Sequence, residues 1–110
     1  MKFNTQDIKG ILIVSAFPKI LDASNAMEFK TDLAKLLENR QQVVFDMSAV
    51  SFIDSAGCGA LIATLRMLKN SGGVLKIFAV QKQVRSVFEL VRMHKILDIL
   101  NTLEEAIDSF

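Results

Sequence analysis

The side chains best suited to chemistry stand together in the middle of the chain, in the run Asp54-Ser55-Ala56-Gly57-Cys58-Gly59. Asp and Ser are favoured at helix starts, and the apolar residues that follow repeat at helical spacing. A hydroxyl there would lie beside unpaired backbone N–H groups and the positive end of the helix dipole, where an anion is stabilised. The pattern predicts a serine that can carry a phosphate, although an ordinary helix cap would use the same residues.

Nucleophilic catalysis is the first alternative, because the chain holds a serine, a cysteine and a histidine. A thiol or hydroxyl nucleophile needs a base beside it, and the only imidazole, His94, lies far along the chain. The run around Ser55 does not match the G-x-S-x-G elbow of hydrolases. We therefore expect Cys58 to be a small packed residue, His94 to lie at the surface or a helix end, and the chain not to be an enzyme.

Phosphate or metal binding is the second alternative. Gly57-Cys58-Gly59 resembles a fragment of a dinucleotide fingerprint, but Ile62 stands where the third glycine would be, and no Gly-Lys-Ser/Thr follows. A single cysteine provides no cluster for a metal. We expect no cofactor and no metal, and the glycines instead allow another backbone, of this chain or of a partner, to approach closely.

Length and composition limit the remaining classes. A chain of 110 residues with 51% hydrophobic and 23% charged residues fits one globular domain, residues 1–110. The net charge of +1, without a basic run, argues against nucleic acid and anionic membranes as partners. No signal-peptide core and no apolar run of the ~20 residues that span a bilayer is present, so we expect a soluble, cytoplasmic protein.

The elements that must position Ser55 alternate between strands and helices. A hairpin is predicted from residues 2–8 and 11–14 across the turn Lys9-Gly10. A helix is predicted that ends near residue 39, with Asp22, Ser24 and Asn25 as candidate caps and Glu28 at capping-box spacing from Asn25. The later elements are a central strand 43–47, a helix 55–70 ended by Ser71-Gly72-Gly73, a strand 74–80, a helix 81–92, a short strand 96–100 and a helix 102–110 capped by Thr102. This order predicts an α/β fold with a mixed, mostly parallel sheet.

The run Phe52-Ile53-Asp54-Ser55-Ala56-Gly57-Cys58-Gly59-Ala60-Leu61 resembles the signature of STAS domains of the bacterial anti-sigma factor antagonists. The resemblance extends over nearly the whole chain, including the strand before the signature and the run Asp22-Ala23-Ser24-Asn25. It implies the STAS fold, with four to five strands and about four covering helices. The chain departs from the family pattern at Lys19-Ile20-Leu21, at Cys58 and at Val91-Arg92.

The resemblance also implies a partner-switching role. Ser55 would be phosphorylated by a serine kinase of the histidine-kinase-like ATPase fold that is itself the anti-sigma factor, and a PP2C-type phosphatase would reverse the reaction. The unphosphorylated protein, a monomer when free, would bind that kinase. Asp54 would help to place the hydroxyl and Asp22 would lie in the loop beside it. Ala56, Gly57, Cys58 and Gly59 would form the contact surface.

A STAS module that scaffolds a complex or senses a ligand, without being phosphorylated, is the remaining alternative. Phosphorylation of Ser55 is the property that separates the two functions.

Overall fold

The computed structural model describes residues 1–110 and is built from seven strands and four α-helices. The strands are β1 Asn4–Ile8, β2 Ile11–Ser15, β3 Ile20–Leu21, β4 Gln42–Asp46, β5 Phe52–Ile53, β6 Val74–Phe78 and β7 Asp98–Leu100. The helices are α1 Ala26–Leu36, α2 Ser55–Asn70, α3 Lys82–Leu90 and α4 Leu103–Asp108, with a 3-10 turn at Met93–Lys95.

Five strands form one mixed sheet in the order β1-β2-β4-β6-β7, with β4 in the centre. The hairpin partners β1 and β2 are antiparallel, and every other pair of neighbours is parallel. The predicted α/β class, the mostly parallel sheet and the four helices are therefore confirmed. None of the helices is both long and apolar enough to cross a bilayer.

Both faces of the sheet are covered, because strand side chains point alternately to opposite sides. Val43 and Phe45 of β4 join the main core of 24 buried residues, to which α1, α2 and α3 contribute. Val44, between them, joins a smaller cluster on the other face that includes Ala106 of α4. A central strand covered on both faces explains why its sequence is apolar at consecutive positions.

The strands β3 and β5 form a separate two-stranded parallel pair that connects the loops before α1 and α2. Ile20 pairs with Phe52, and Leu21 pairs with Ile53. The backbone N–H of Asp54 also donates to the Leu21 carbonyl at 3.3 Å. This pair, absent from the sequence prediction, brings the N-termini of α1 and α2 together.

Several predicted boundaries shift, and one predicted cap is wrong. The helix α2 spans Ser55–Asn70 as predicted, whereas α1 ends at Leu36, before residue 39. Asn25 stands at the start of α1 but its side chain does not cap the helix. Its amide instead bonds the loop, accepting from the Asp22 N–H at 3.0 Å and donating to the Ile20 carbonyl at 2.8 Å.

The predicted cap of the last helix is confirmed. The Thr102 side chain accepts a hydrogen bond from the Glu105 N–H at 3.1 Å, as a capping residue does. The remaining helix and strand boundaries lie within two residues of the prediction for β7, α3 and α4.

Candidate functional site

Asp54 connects the start of α2 with the loop before α1. Its backbone is extended, and one carboxylate oxygen, Oδ1, accepts from the Gly57 N–H at 2.9 Å in the ordinary geometry of a helix cap. The other oxygen, Oδ2, accepts from the Ala23 N–H at 3.3 Å across the β3–β5 pair. One negative side chain therefore fixes two loops and offsets the positive end of the α2 dipole.

Ser55 follows as the first residue of α2, and it is exposed. Its hydroxyl makes no hydrogen bond within the chain, and the helix is capped by Asp54. The N–H groups of Ser55 and Ala56 also have no acceptor in the chain, as is usual at a helix start. The site thus presents one free hydroxyl and two free donors to an approaching molecule.

Gly57 serves the interior of the protein. A Cβ atom at this position would lie 2.5 Å from the Leu21 carbonyl oxygen and 2.7 Å from Cγ1 of Ile53. The sequence left open whether a backbone of this chain or of a partner approaches the glycine. The backbone that approaches Gly57 is that of β3 in this chain. Gly59 differs, because it is exposed and a Cβ there would have no neighbour within 4 Å.

Cys58 is buried, with 2% of its surface exposed. Burial, and secondarily the nearby negative charge of Asp54, raise the pKa of its thiol to about 11. The thiol is therefore neutral near pH 7 and is a packed side chain, as predicted. His94 lies exposed in the 3-10 turn, in agreement with the expectation of a surface residue.

Asp22 lies in the neighbouring loop, where its carboxylate is bonded to its own segment. Oδ1 accepts from the Ser24 hydroxyl at 2.6 Å and from the Ser24 N–H at 2.9 Å. These two hydrogen bonds hold the pKa of the Asp22 carboxyl below its ordinary value. Asp22 and Asp54 thus flank Ala23 and lie on adjacent loops, as the sequence resemblance implied.

The surface around Ser55 combines these polar groups with exposed apolar side chains. Ile20 and Phe52, paired across β3 and β5, remain 48% and 51% exposed. The sequence did not predict this pair, although a signal is present: each Asp follows two apolar residues, Ile20-Leu21 before Asp22 and Phe52-Ile53 before Asp54. No group of three or more His, Cys, Asp or Glu side chains is arranged to hold a metal ion.

Comparison with known proteins gives one family match. The family model of the STAS domain matches residues 2–106. A protein of Bordetella bronchiseptica named as an anti-sigma factor antagonist, BtrV, is 27% identical over all of this chain and 95% of its own. The anti-sigma-B factor antagonist of Bacillus subtilis is 28% identical over 72% of each chain.

Solved structures show the same fold. The crystal structure of a Thermotoga maritima protein named as an anti-sigma factor antagonist has a TM-score of 0.86 at 24% identity, over 97% of this chain and 92% of the other. The Bacillus cell fate determinant SpoIIAA in its phosphorylated form has a TM-score of 0.68 at 20% identity, over 98% of each chain.

Proposed function

The chain belongs to the STAS domain family, and from this premise we propose that it is an anti-sigma factor antagonist in which phosphorylation of Ser55 switches binding to an anti-sigma factor. The observation that carries the proposal is the exposed, unbonded hydroxyl of Ser55 at the start of α2. The named relatives are regulators rather than enzymes, and SpoIIAA, which shares the fold, has a phosphorylated form. In this proposal the chain is the substrate of a kinase.

The partner is a serine kinase of the histidine-kinase-like ATPase fold that also acts as the anti-sigma factor. It binds the unphosphorylated chain and so releases its sigma factor. After the kinase has modified Ser55 the two proteins separate, and a PP2C-type phosphatase restores the hydroxyl. The Ser55 surface supports this cycle because a group attached there faces outward and is not covered by the chain's own side chains.

The physical switch is a change in charge on a surface that the partner covers. A phosphate adds about −1.5 to −2 charges directly beside the Asp54 carboxylate. The two free N–H groups of Ser55 and Ala56 offset part of that charge within the chain, but a partner would have to bury the remainder. A loss of about 3 kcal/mol in binding free energy would weaken the complex by more than a hundredfold.

The candidate contact residues divide into two layers. Asp22, Ala56 and Gly59 join Asp54 at the partly or fully exposed surface around Ser55. Gly57 and Cys58 are buried beneath it, so they do not form part of the contact surface that the resemblance implied. Gly57 instead allows β3 to lie close to the helix start.

Two variants test the proposal. Ser55→Asp should bind the candidate kinase weakly and Ser55→Ala should bind it constitutively, measured by titration in the presence of ATP. Ser86→Asp adds the same charge at an exposed position of α3 and is the matched control. Equal affinities of Ser55→Asp and Ser55→Ala would contradict the switch.

Mass spectrometry after incubation with the kinase and ATP gives the direct measurement. One phosphoryl group on Ser55, absent from Ser55→Ala, is the expected result. An unmodified Ser55 in a stable complex with the kinase would instead favour the scaffold or ligand-sensing function.

A further inference from the structure

A long groove runs between α1 and α2 on the outer side of the helix layer. It consists of two adjoining cavities of about 320 and 590 Å³, which share Lys30 and Ala63 in their linings. Its floor is formed mainly by small residues such as Ala26, Ala60 and Ala63. We call this feature the α1–α2 groove.

Two exposed methionines mark the ends of the α1–α2 groove. Met27 of α1 is 72% exposed in the half nearest Ser55, and Met67 of α2 is 37% exposed in the other half. Methionine is flexible and polarisable, so it adapts to different apolar surfaces. The two side chains therefore add apolar contact area to a floor that a backbone can approach closely.

The charges of α1 are divided between its two sides. Glu28 and Asp32 bond the N-terminal ammonium of Met1 at 2.9 and 2.8 Å, away from the groove. Lys30 and Lys35 line the groove and form no ion pair within the chain. Glu38, at the far end, is the only acidic residue in the lining.

The second wall of the groove adds no charge, because the α2 residues that line it are uncharged. The helix α2 contains no Asp or Glu, and its exposed Arg66 lies one turn from Ala63 without an ion-pair partner. The groove therefore has an apolar floor with a cationic rim on the α1 side, formed by Lys30 and Lys35, which is complementary to an apolar stripe flanked by acidic residues.

We propose that the α1–α2 groove docks an acidic amphipathic helix of a protein partner. The two helices run in the same direction from the β3–β5 pair, so the groove between them is a straight channel for a third helix. A docked helix would place its apolar face on the alanine floor and its carboxylates beside Lys30 and Lys35. The near end of the groove shares Ala56 and Gly59 with the Ser55 surface, but helix docking along α1 and α2 goes beyond the Ser55 switch because it requires no phosphorylation.

A synthetic helix provides the probe. A stapled peptide of about 15 residues, about 22 Å long, would carry leucines on one face and glutamates on both flanks. A matched peptide would have lysines in place of the glutamates. Fluorescence anisotropy should show that the glutamate peptide binds about tenfold or more tightly than the lysine peptide, with a preference that decreases as salt is added.

Variants of the protein locate the bound peptide. Lys30→Glu with Lys35→Glu should weaken the glutamate peptide about tenfold, whereas Lys82→Glu with Lys95→Glu, also exposed but outside the groove, should leave its affinity unchanged. Ala63→Phe fills the groove without changing the charge and should also prevent binding. If Ala63→Phe fails to fold, the exposed lysine pair still decides the question.

Several results would overturn the proposal. These are equal binding of the two peptides, unchanged binding by Lys30→Glu with Lys35→Glu, or amide chemical shift changes that lie outside α1 and α2. Self-association that Lys30→Glu abolishes would identify a second copy of the chain as the occupant. Lysine-dependent binding to phosphatidylglycerol vesicles, without peptide binding, would identify a lipid surface. If the groove does not bind the peptide, the Ser55 proposal is unaffected, because the test of Ser55 measures phosphorylation by a kinase with ATP.

Discussion

The loops before α1 and α2 begin alike and end differently. Each has two apolar residues in a short strand and then an aspartate, and the two strands pair side by side. Asp54 caps its helix and leaves Ser55 without a hydrogen bond, whereas Asp22 bonds Ser24 and leaves α1 without a side-chain cap. Ser55 therefore keeps a free hydroxyl at a helix start that Asp54 caps, whereas the Ser24 hydroxyl is bonded to Asp22.

Gly57→Val would test this comparison with the largest effect. The added side chain would collide with the Leu21 carbonyl and Ile53, so the variant should separate the two loops and lose about 3 kcal/mol or more in the free energy of unfolding. Chemical denaturation followed by circular dichroism measures the loss. A stable variant that only failed to bind a partner would show that the glycine serves the interface instead.

Alkaline pH should lower the free energy of unfolding of the protein through Cys58. The native thiol has a pKa of about 11, above its ordinary value of 9.0, so the native state holds the proton more tightly than the unfolded chain does. The free energy of unfolding should therefore be unaffected by this group below pH 9 and should fall as the pH rises from about 9 to about 11. Denaturation of Cys58→Ala over the same range is the control, and an identical slope in both proteins would refute the assignment.

Asp54→Ala and Asp22→Ala compare the two aspartates directly. Asp54→Ala removes both the cap of α2 and the bond to Ala23, and should cost about 1–2 kcal/mol of stability. Asp22→Ala removes only bonds to Ser24 and should cost less. Thermal unfolding measures both, and equal losses would remove the distinction between the loops.

Gly59→Ala should have a smaller effect of the opposite sign. The position is an exposed helix interior with open space around it, so alanine should stabilise the protein by up to about 1 kcal/mol. Denaturant titration beside the wild type checks the direction. A loss of stability would indicate that the surface of α2 is more crowded than the geometry shows.

Ser55→Ala should have the smallest effect on stability, within about 0.5 kcal/mol, because its hydroxyl is exposed and unbonded. Ser24→Ala removes the hydroxyl bonded to Asp22 and serves as its counterpart. Calorimetry gives the two melting temperatures. A larger loss for Ser55→Ala than for Ser24→Ala would mean that the Ser55 hydroxyl has a structural role.

Helices and strands were predictable where capping or turn residues bordered apolar residues at helical or strand spacing. The bounds of α2 follow from Asp54 at its start and the Ser71-Gly72-Gly73 exit, where Gly72 has a φ of +85°. The pair β3–β5 was missed because strands of two residues are too short to show a period of two.

The site was predictable in part, for a similar reason. Asp54 as a helix-start residue and Ser55 beside it follow from residue type alone. Asn25 misled the prediction because an amide can bond a neighbouring loop as readily as a helix end, and only the tertiary structure decides between them. Likewise, the burial of Gly57 depends on the Leu21 carbonyl, which is distant in sequence.

The β3–β5 pair determines what a covalent change at Ser55 would alter in the structure. Asp54 donates its backbone N–H to the Leu21 carbonyl and accepts a hydrogen bond from the Ala23 N–H, and these two bonds hold the backbone that carries Ser55. A phosphate added to the hydroxyl would therefore change the surface charge around Ser55 while the backbone kept its position. A partner would therefore detect the modification by direct contact with Ser55, without a conformational change elsewhere in this chain.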